Sequence, residues 1–326
     1  MRRVLLAAAA LLLVAAGSPW RWGLPADMAV PPVPTDNGMS AARVALGRRL
    51  FYDADLSANG TMACAACHEQ KRAFADGNAT RPGVHGDPGR RNVPGLANVG
   101  WYGRLTFADP AITTLEKQAL VPLLGERPVE MGMKGMEAEL ARRLGRDACY
   151  RRMFARAYPE RRGRIDMGSV TAALAAFERT MVALDSPYDR HLAGDETALS
   201  PTERQGLAIF VKAGCAACHA GRLMTDMDYH RLEAPQRADP GLAEQTGQGG
   251  DAGRFRTPSL RMVALTGPWW HDGTAKTLEE AVRRHDDGVA DRDMPALLAF
   301  LRSLTDAQFT TRPDLAMPDR ACGRPL

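Results

Sequence analysis

Cys64-Ala65-Ala66-Cys67-His68 and Cys215-Ala216-Ala217-Cys218-His219 decide the fold of this 326-residue chain. Both are C-x-x-C-H, the attachment sequence of a c-type haem. Two thiols add to the two vinyl groups of one haem, and the adjacent His is held beneath the iron as its proximal ligand. A redox C-x-x-C or half a zinc site would leave the paired His unexplained in both copies. The two motifs lie 151 residues apart, so each can occupy its own domain.

What flanks them is helical. Ser200-Pro201-Thr202-Glu203 is a capping box with Pro at the first helical position. Leu207, Phe210 and Val211 continue it as an apolar stripe, and Gly214 stops the helix one residue before Cys215. Val44, Leu46, Leu50 and Phe51 mark a helix before Cys64. Val170, Leu174, Phe177, Met181 and Leu184 trace another, and Leu297, Leu298, Leu301 and Leu304 a last one. No run of alternating strands stands out. The expected fold is all-α: two cytochrome c-like haem domains with long loops. We expect residues 18–37 as a linker, 38–195 as the N-terminal haem domain and 196–326 as the C-terminal one.

Composition agrees. Hydrophobic residues make up 45% and charged residues 25%, which excludes wholesale disorder and a polytopic membrane protein. The basic excess is 37 Arg against 5 Lys, scattered along the chain, so no nucleic-acid stripe is read. Met1-Arg2-Arg3 followed by the apolar run Val4–Ala16 and Ala15-Ala16-Gly17 reads as a secretory signal over residues 1–17. Its removal takes the formal charge from +4 to +2, since Arg2 and Arg3 leave with it. The working chain is expected in the periplasm, with no stable membrane insertion.

Longer stretches resemble a known family, the bacterial di-haem cytochrome c peroxidases, and within it the MauG- and MbnH-like branch. They include Leu46-Gly47-Arg48-Arg49-Leu50-Phe51-Tyr52-Asp53, Phe74-Ala75-Asp76-Gly77, Leu115-Glu116-Lys117-Gln118-Ala119 and Pro128-Val129-Glu130-Met131-Gly132. Phe177-Glu178-Arg179-Thr180, Asp185-Ser186-Pro187-Tyr188-Asp189-Arg190, Phe255-Arg256-Thr257-Pro258-Ser259-Leu260-Arg261 and His271-Asp272-Gly273 complete the series. The resemblance runs from about residue 43 to 305.

The sixth ligand of each iron decides its chemistry. Leu278, Ala281, Val282 and His285 follow Thr277 at i, i+3, i+4 and i+7, which puts His285 on an apolar helix face. A His there is either a satisfied core residue or a ligand, and a haem domain without another sixth ligand selects the second reading. The resemblance points the same way: the family places Met or Tyr 17 residues after a Pro equivalent to Pro268, and His285 stands there. We expect His219 and His285 on the second iron, with Met294 as the rival. On the first iron, His68 is proximal. His85, 17 residues later in a Gly/Pro-rich loop, reads either as a removable distal ligand or as a surface His.

The resemblance implies further roles. Glu130 matches the family's distal acid–base group, and Gln118 and Pro122 match positions that shape the same pocket. Pro122 would otherwise read as a helix terminator. Two more residues separate Pro122 from Glu130 than in classical peroxidases. Phe107 occupies the place of an inter-haem Trp bridge, with Trp101 as a substitute or as ordinary packing. Asn92, Thr266 and Pro268 match a calcium site. Trp269 and Trp270 read as packing around the second haem, and His271 as a propionate partner. Cys149 and Cys322 are left over, and an oxidising compartment allows them to pair.

The expected function is therefore a periplasmic di-haem peroxidase. Hydrogen peroxide reacts at the first haem and the second relays oxidising equivalents. The reductant is either a small cytochrome c or cupredoxin, or the Trp or Tyr of a partner protein. A non-catalytic di-haem electron carrier is the alternative from a different class.

Overall fold

A computed structural model describes residues 20–232, 238–285 and 288–325; the signal-like segment 1–17 lies outside these. The first half carries α1 (Ala41–Phe51), α2 (Cys64–Cys67), α3 (Leu115–Leu124), α4 (Glu137–Arg146), α5 (Ala148–Ala157) and α6 (Met167–Glu178). A short α7 (Pro187–Leu192) leads to α8 (Pro201–Lys212), α9 (Ala243–Thr246), α10 (Leu278–Arg283) and α11 (Met294–Ser303). Apart from isolated bridges, extended structure among the described residues is limited to two antiparallel pairs. They are β1 (Tyr229–His230) with β2 (Phe255–Arg256), and β3 (Arg320–Ala321) with β4 (Arg324–Pro325). The all-helical expectation holds.

Local sequence sets the helix starts. Ser200 and Glu203 cap α8 reciprocally, and Asp166 with Ser169 and Ser186 with Asp189 do the same for α6 and α7. Gly214, at φ +82°, turns the chain straight from α8 into Cys215. Two readings need correction. Pro122 does not terminate α3, which runs two residues past it. Val211 is 59% exposed rather than part of the buried stripe, because Gly206 and Phe210 form that face.

The two halves repeat one helix crossing. α1 packs on α6 through Gly47: a Cβ there would stand 1.8 Å from the carbonyl oxygen of Ala173. α8 packs on α11 through Gly206, whose Cβ would stand 1.9 Å from that of Ala296. Four residues further along, Phe51 meets Phe177 with ring centroids 5.4 Å apart, and Phe210 meets Phe300 at 5.2 Å. The spacing Gly-x-x-x-Phe against Ala-x-x-x-Phe is thus the same in both domains. Only glycine permits backbones this close, and both bulky rings then fill the wedge beside it. Gly206→Ala is expected to force α8 off α11 and destabilise the protein by about 1–3 kcal/mol or more. Thermal unfolding of the holoprotein measures it.

After α11 the chain returns to the first half. Phe309 and Leu315 are fully buried in the N-terminal core, and Phe309 packs on Phe74 at 5.6 Å between centroids. Tyr52 Oη donates to the Leu315 carbonyl at 2.7 Å, and Arg48 Nε to that of Ala316 at 2.6 Å. Cys149 and Cys322 form a disulfide, Sγ–Sγ 2.02 Å, pinning the tail to α5. The tail beyond residue 305, expected with the second domain, therefore packs on the first.

Candidate functional site

The second C-x-x-C-H opens into a cavity of about 450 Å³ lined by Cys215, Cys218, His219 and His285 among others. His219 and His285 face each other, ring centroids 6.4 Å apart. A metal–imidazole bond of about 2 Å on each side, plus roughly 1.1 Å from each nitrogen to its ring centre, spans about 6 Å. One iron therefore fits between them. The tautomers are set from behind. Nδ1 of His219 lies 3.3 Å from the Met224 carbonyl oxygen, and Nδ1 of His285 lies 2.8 Å from that of Ala281. A carbonyl only accepts, so Nδ1 carries the proton and Nε2 keeps its lone pair for a metal. Burial, more than the neighbouring His285, pulls the His219 imidazole down to about 4, so it is neutral and ready to ligate.

α10 ends at Arg283, two residues before His285, so this His sits on the turn after the helix rather than on its face. Met294, the rival ligand, is the first residue of α11, 3% exposed in the core, and does not line the cavity.

Two buried arginines test the fit of a haem. Arg256 is 4% exposed, and among the described residues no carboxylate pairs with it. Its Nε donates to the Thr106 carbonyl and its Nη1 to that of Thr257. Arg261, 3% exposed, pairs with Asp189 at 2.9 Å, yet its Nη2 is buried without a partner. Both line the cavity. Buried cations of this kind need anions, and a haem brings two propionates. No local sequence pattern gives either residue a role; only the fold shows that their charge is buried. His271, stacked on Phe255 at 3.7 Å between centroids, lines the same cavity.

The first C-x-x-C-H forms α2. His68 Nδ1 lies 2.6 Å from the Phe74 carbonyl oxygen, which again frees Nε2. The two carbonyls behind the proximal histidines belong to non-glycine residues in the left-handed region, Phe74 at φ +63° and Met224 at φ +53°. Such conformations are costly and persist where the surroundings impose them.

Glu130 sits on a segment laced to α3: Met131 N–H donates to the Pro122 carbonyl at 2.9 Å and Met133 N–H to Leu123 at 2.8 Å. The Glu130 carbonyl accepts from Val84 N–H at 2.7 Å. Gly83 allows this approach, since a Cβ there would lie 1.7 Å from the Val129 oxygen. Burial pushes the Glu130 carboxyl above its ordinary range. Burial also pushes the Cys67 thiol up to about 11, with Arg81 opposing and Glu130 adding to the shift, so Glu130 stands within electrostatic reach of the haem tether. Gln118 is half-buried on α3. His85 is exposed on the loop flanking Glu130, with Nε2 3.2 Å from where a Gly132 Cβ would be.

Glu178 is the residue that sequence reasoning left without a role. It ends α6, is 5% exposed, and has Oε2 buried without a partner. Burial pushes its carboxyl up to about 8. The folded state thus holds a proton that the unfolded chain releases near 4.5. Stability is expected to fall as pH rises from about 4.5 to 8, by a few kcal/mol in total. Glu178→Gln removes that slope, which denaturant titrations across this range measure. The signal was present in sequence: Glu178 follows an unbroken apolar run from Ala172 to Phe177.

Phe107, Asn92, Thr266 and Pro268 also line the second cavity. Asn92 Nδ2 donates to the carbonyls of Asn78 and Ala79, which leaves Oδ1 as an available oxygen donor. Trp101 does not line the cavity; its Nε1–H donates to the Ala29 carbonyl at 2.8 Å. Cys218, Asp226 and His230 cluster closely enough to suit a metal, but Cys218 belongs to the haem tether.

By class this is a two-haem c-type cytochrome. Residues 41–197 match the family model of the di-haem cytochrome c peroxidases, and residues 204–305 that of cytochrome c. The methylamine utilization protein MauG of Methylophilus methylotrophus is 33% identical over 267 residues, covering 80% of this chain and 77% of that protein. The cytochrome c peroxidase Ccp of Escherichia coli is 34% identical over 288 residues, covering 84% of this chain and 60% of that one. The crystal structure of a MauG-like protein associated with microbial copper homeostasis aligns with a TM-score of 0.88 at 37% identity, over 92% of this chain and 100% of that one. The chain belongs to the di-haem cytochrome c peroxidase family and is a di-haem peroxidase.

Proposed function

We propose that the first haem, tethered by Cys64 and Cys67 over His68, is where hydrogen peroxide reacts, with Glu130 moving the proton. His219 and His285 hold the second haem as a store and relay of oxidising equivalents. The haems supply the redox chemistry itself. The asymmetry of the axial groups carries this reading. One site sets two imidazoles 6.4 Å apart. The other pairs an imidazole with a nearby carboxyl whose affinity for protons is raised.

Each side chain then has a defined task. Glu130 accepts a proton from one peroxide oxygen and returns it to the other, which makes the leaving oxygen water. Gln118 and Pro122 shape the pocket around it. Arg256 and Arg261, both buried, would neutralise the propionates. Asn92 Oδ1 with backbone carbonyls at Thr266 and Pro268 suits calcium, a hard cation that prefers oxygen. Phe107 lines the second haem's cavity and offers no indole to oxidise.

The reductant is the Trp or Tyr of a partner protein, a reading supported by the high similarity to a MauG-like structure. The competing use, peroxide removal with electrons from a small redox protein, is supported by relatives named cytochrome c peroxidase. The protein works in the periplasm. Among the described residues no helix is long and apolar enough to cross a membrane, and the signal-like segment precedes them.

Peroxide added to the purified holoprotein tests the proposal. The resting spectrum is expected to contain one high-spin five-coordinate and one low-spin haem, and peroxide is expected to change the former within one turnover. Two low-spin haems that ignore peroxide, even after one-electron reduction, would instead define an electron carrier.

A further inference from the structure

We propose that a second cavity, sharing no lining residue with the haem cavity, binds a small polyanion of the diphosphate class and so fastens the tail of the chain to the first domain. The cavity holds about 350 Å³. Arg49 of α1, Arg146 of α4, Arg152 of α5 and Arg324 of β4 line it, so four separate elements each bring one guanidinium. Asp147 is the one carboxylate among the lining residues, which leaves a formal charge of +3 (four minus one). Each Asp147 oxygen already has a donor: Oδ2 lies 2.5 Å from Arg49 Nη2, and Oδ1 accepts from Cys149 N–H at 2.6 Å. The side chains of Arg146, Arg152 and Arg324 have no hydrogen bond or ion pair among the described residues. Other surface arginines differ: Arg142, Arg283 and Arg312 each pair with a carboxylate.

Like charges gathered around one cavity repel, and an anion among them removes that cost. Guanidinium forks match phosphate oxygens two at a time. A diphosphate carries roughly three negative charges near neutral pH, which balances the lining. Ala148, the first residue of α5, also lines the cavity, so the positive end of that ten-residue helix adds to the same field. The walls are fixed before any ligand arrives. Cys149 on one wall is bonded to Cys322 on the other. Gly323, at φ +81°, then turns the chain so that Arg324 pairs back on Ala321. Only the arginine side chains need ordering on binding, which keeps its entropic cost low.

The site joins what the sequence separates. Arg324 belongs to the tail, whereas Arg49, Arg146 and Arg152 belong to the first haem domain. An anion held by both ties the tail down beside the disulfide. The unfolded chain does not assemble the four arginines, so the anion binds the folded state and stabilises it by mass action. Added salt screens the cluster and weakens the effect.

Calorimetric titration of the holoprotein with sodium pyrophosphate at constant ionic strength tests this, in wild type and in the double variant Arg152→Gln, Arg324→Gln. Wild type is expected to bind one pyrophosphate per chain, with a thermal midpoint that rises as pyrophosphate is added. Hydrogen exchange at residues 320–325 is expected to slow at the same time. The double variant is expected to bind about 10-fold more weakly or worse. Its haem spectra are expected to match wild type, and its midpoint without anion to equal or exceed the wild-type value, because two like charges are gone. Failure of wild type to bind pyrophosphate, or equal binding by the double variant, overturns the site. So does equal stabilisation by chloride at the same ionic strength, which is general screening. Binding that leaves exchange at residues 320–325 unchanged overturns the fastening of the tail.

Discussion

Glu130→Gln is expected to slow peroxide consumption by about 10²–10⁴-fold while leaving both haem spectra of the resting protein unchanged. Gln keeps the shape and polarity of the side chain but cannot take up a proton. The surrounding backbone holds its place independently of the carboxyl, through Val84 N–H, the Ala58–Met131 contact and the bonds from Met131 and Met133 to α3. A loss of this size therefore reports chemistry rather than collapse of the pocket. The pH profile adds a second check. Burial raises the Glu130 pKa, so the carboxyl stays protonated to higher pH than an ordinary Glu. Since the base must be deprotonated, turnover is expected to rise through that raised pKa and level off above it. In the variant this limb disappears. Stopped-flow decay of peroxide gives both results, and wild-type turnover in Glu130→Gln would remove the carboxyl from the mechanism.

His285→Ala is expected to abolish the low-spin signature of the second haem entirely. The iron would keep only His219 and become high-spin, and added imidazole would restore the original spectrum. His285→Met is expected to keep six ligands but raise the potential, because thioether stabilises ferric iron less well than imidazole does. A thioether–iron charge-transfer band should then appear near the red end of the spectrum. The wild-type protein should lack it. Presence of that band in wild type, and its loss in Met294→Ala, would reassign the ligand. The core position of Met294, 3% exposed, argues against that outcome.

Much of the architecture was legible because covalent chemistry writes short, strict spacings. Each C-x-x-C-H announces one haem, and the capping boxes announce the helices beside it. His285 was legible through its offset from Pro268, although the helix expected to carry it stops at Arg283. Periodicity extends across such an end because the turn continues the helical register for one more residue pair. The repeated crossing was not read from sequence. Gly47 and Phe51, or Gly206 and Phe210, are unremarkable pairs until a second helix approaches to within a carbonyl's width. The buried charge of Arg256 was equally invisible, since no local pattern separates it from the many surface arginines. The return of the tail to the first domain depends on Phe309 and Leu315 finding a core more than 100 residues upstream, which no local window contains.

The bond between Cys149 and Cys322 closes the chain into a ring that begins in α5 and holds the whole second haem domain. Backbone cleavage at one exposed loop anywhere inside that ring leaves a single covalent molecule. The haem-bearing pieces separate only when the bond is also reduced. In a compartment with proteases and little reductant, one cut is therefore survivable: the nicked protein keeps its two irons on one body and at a fixed stoichiometry.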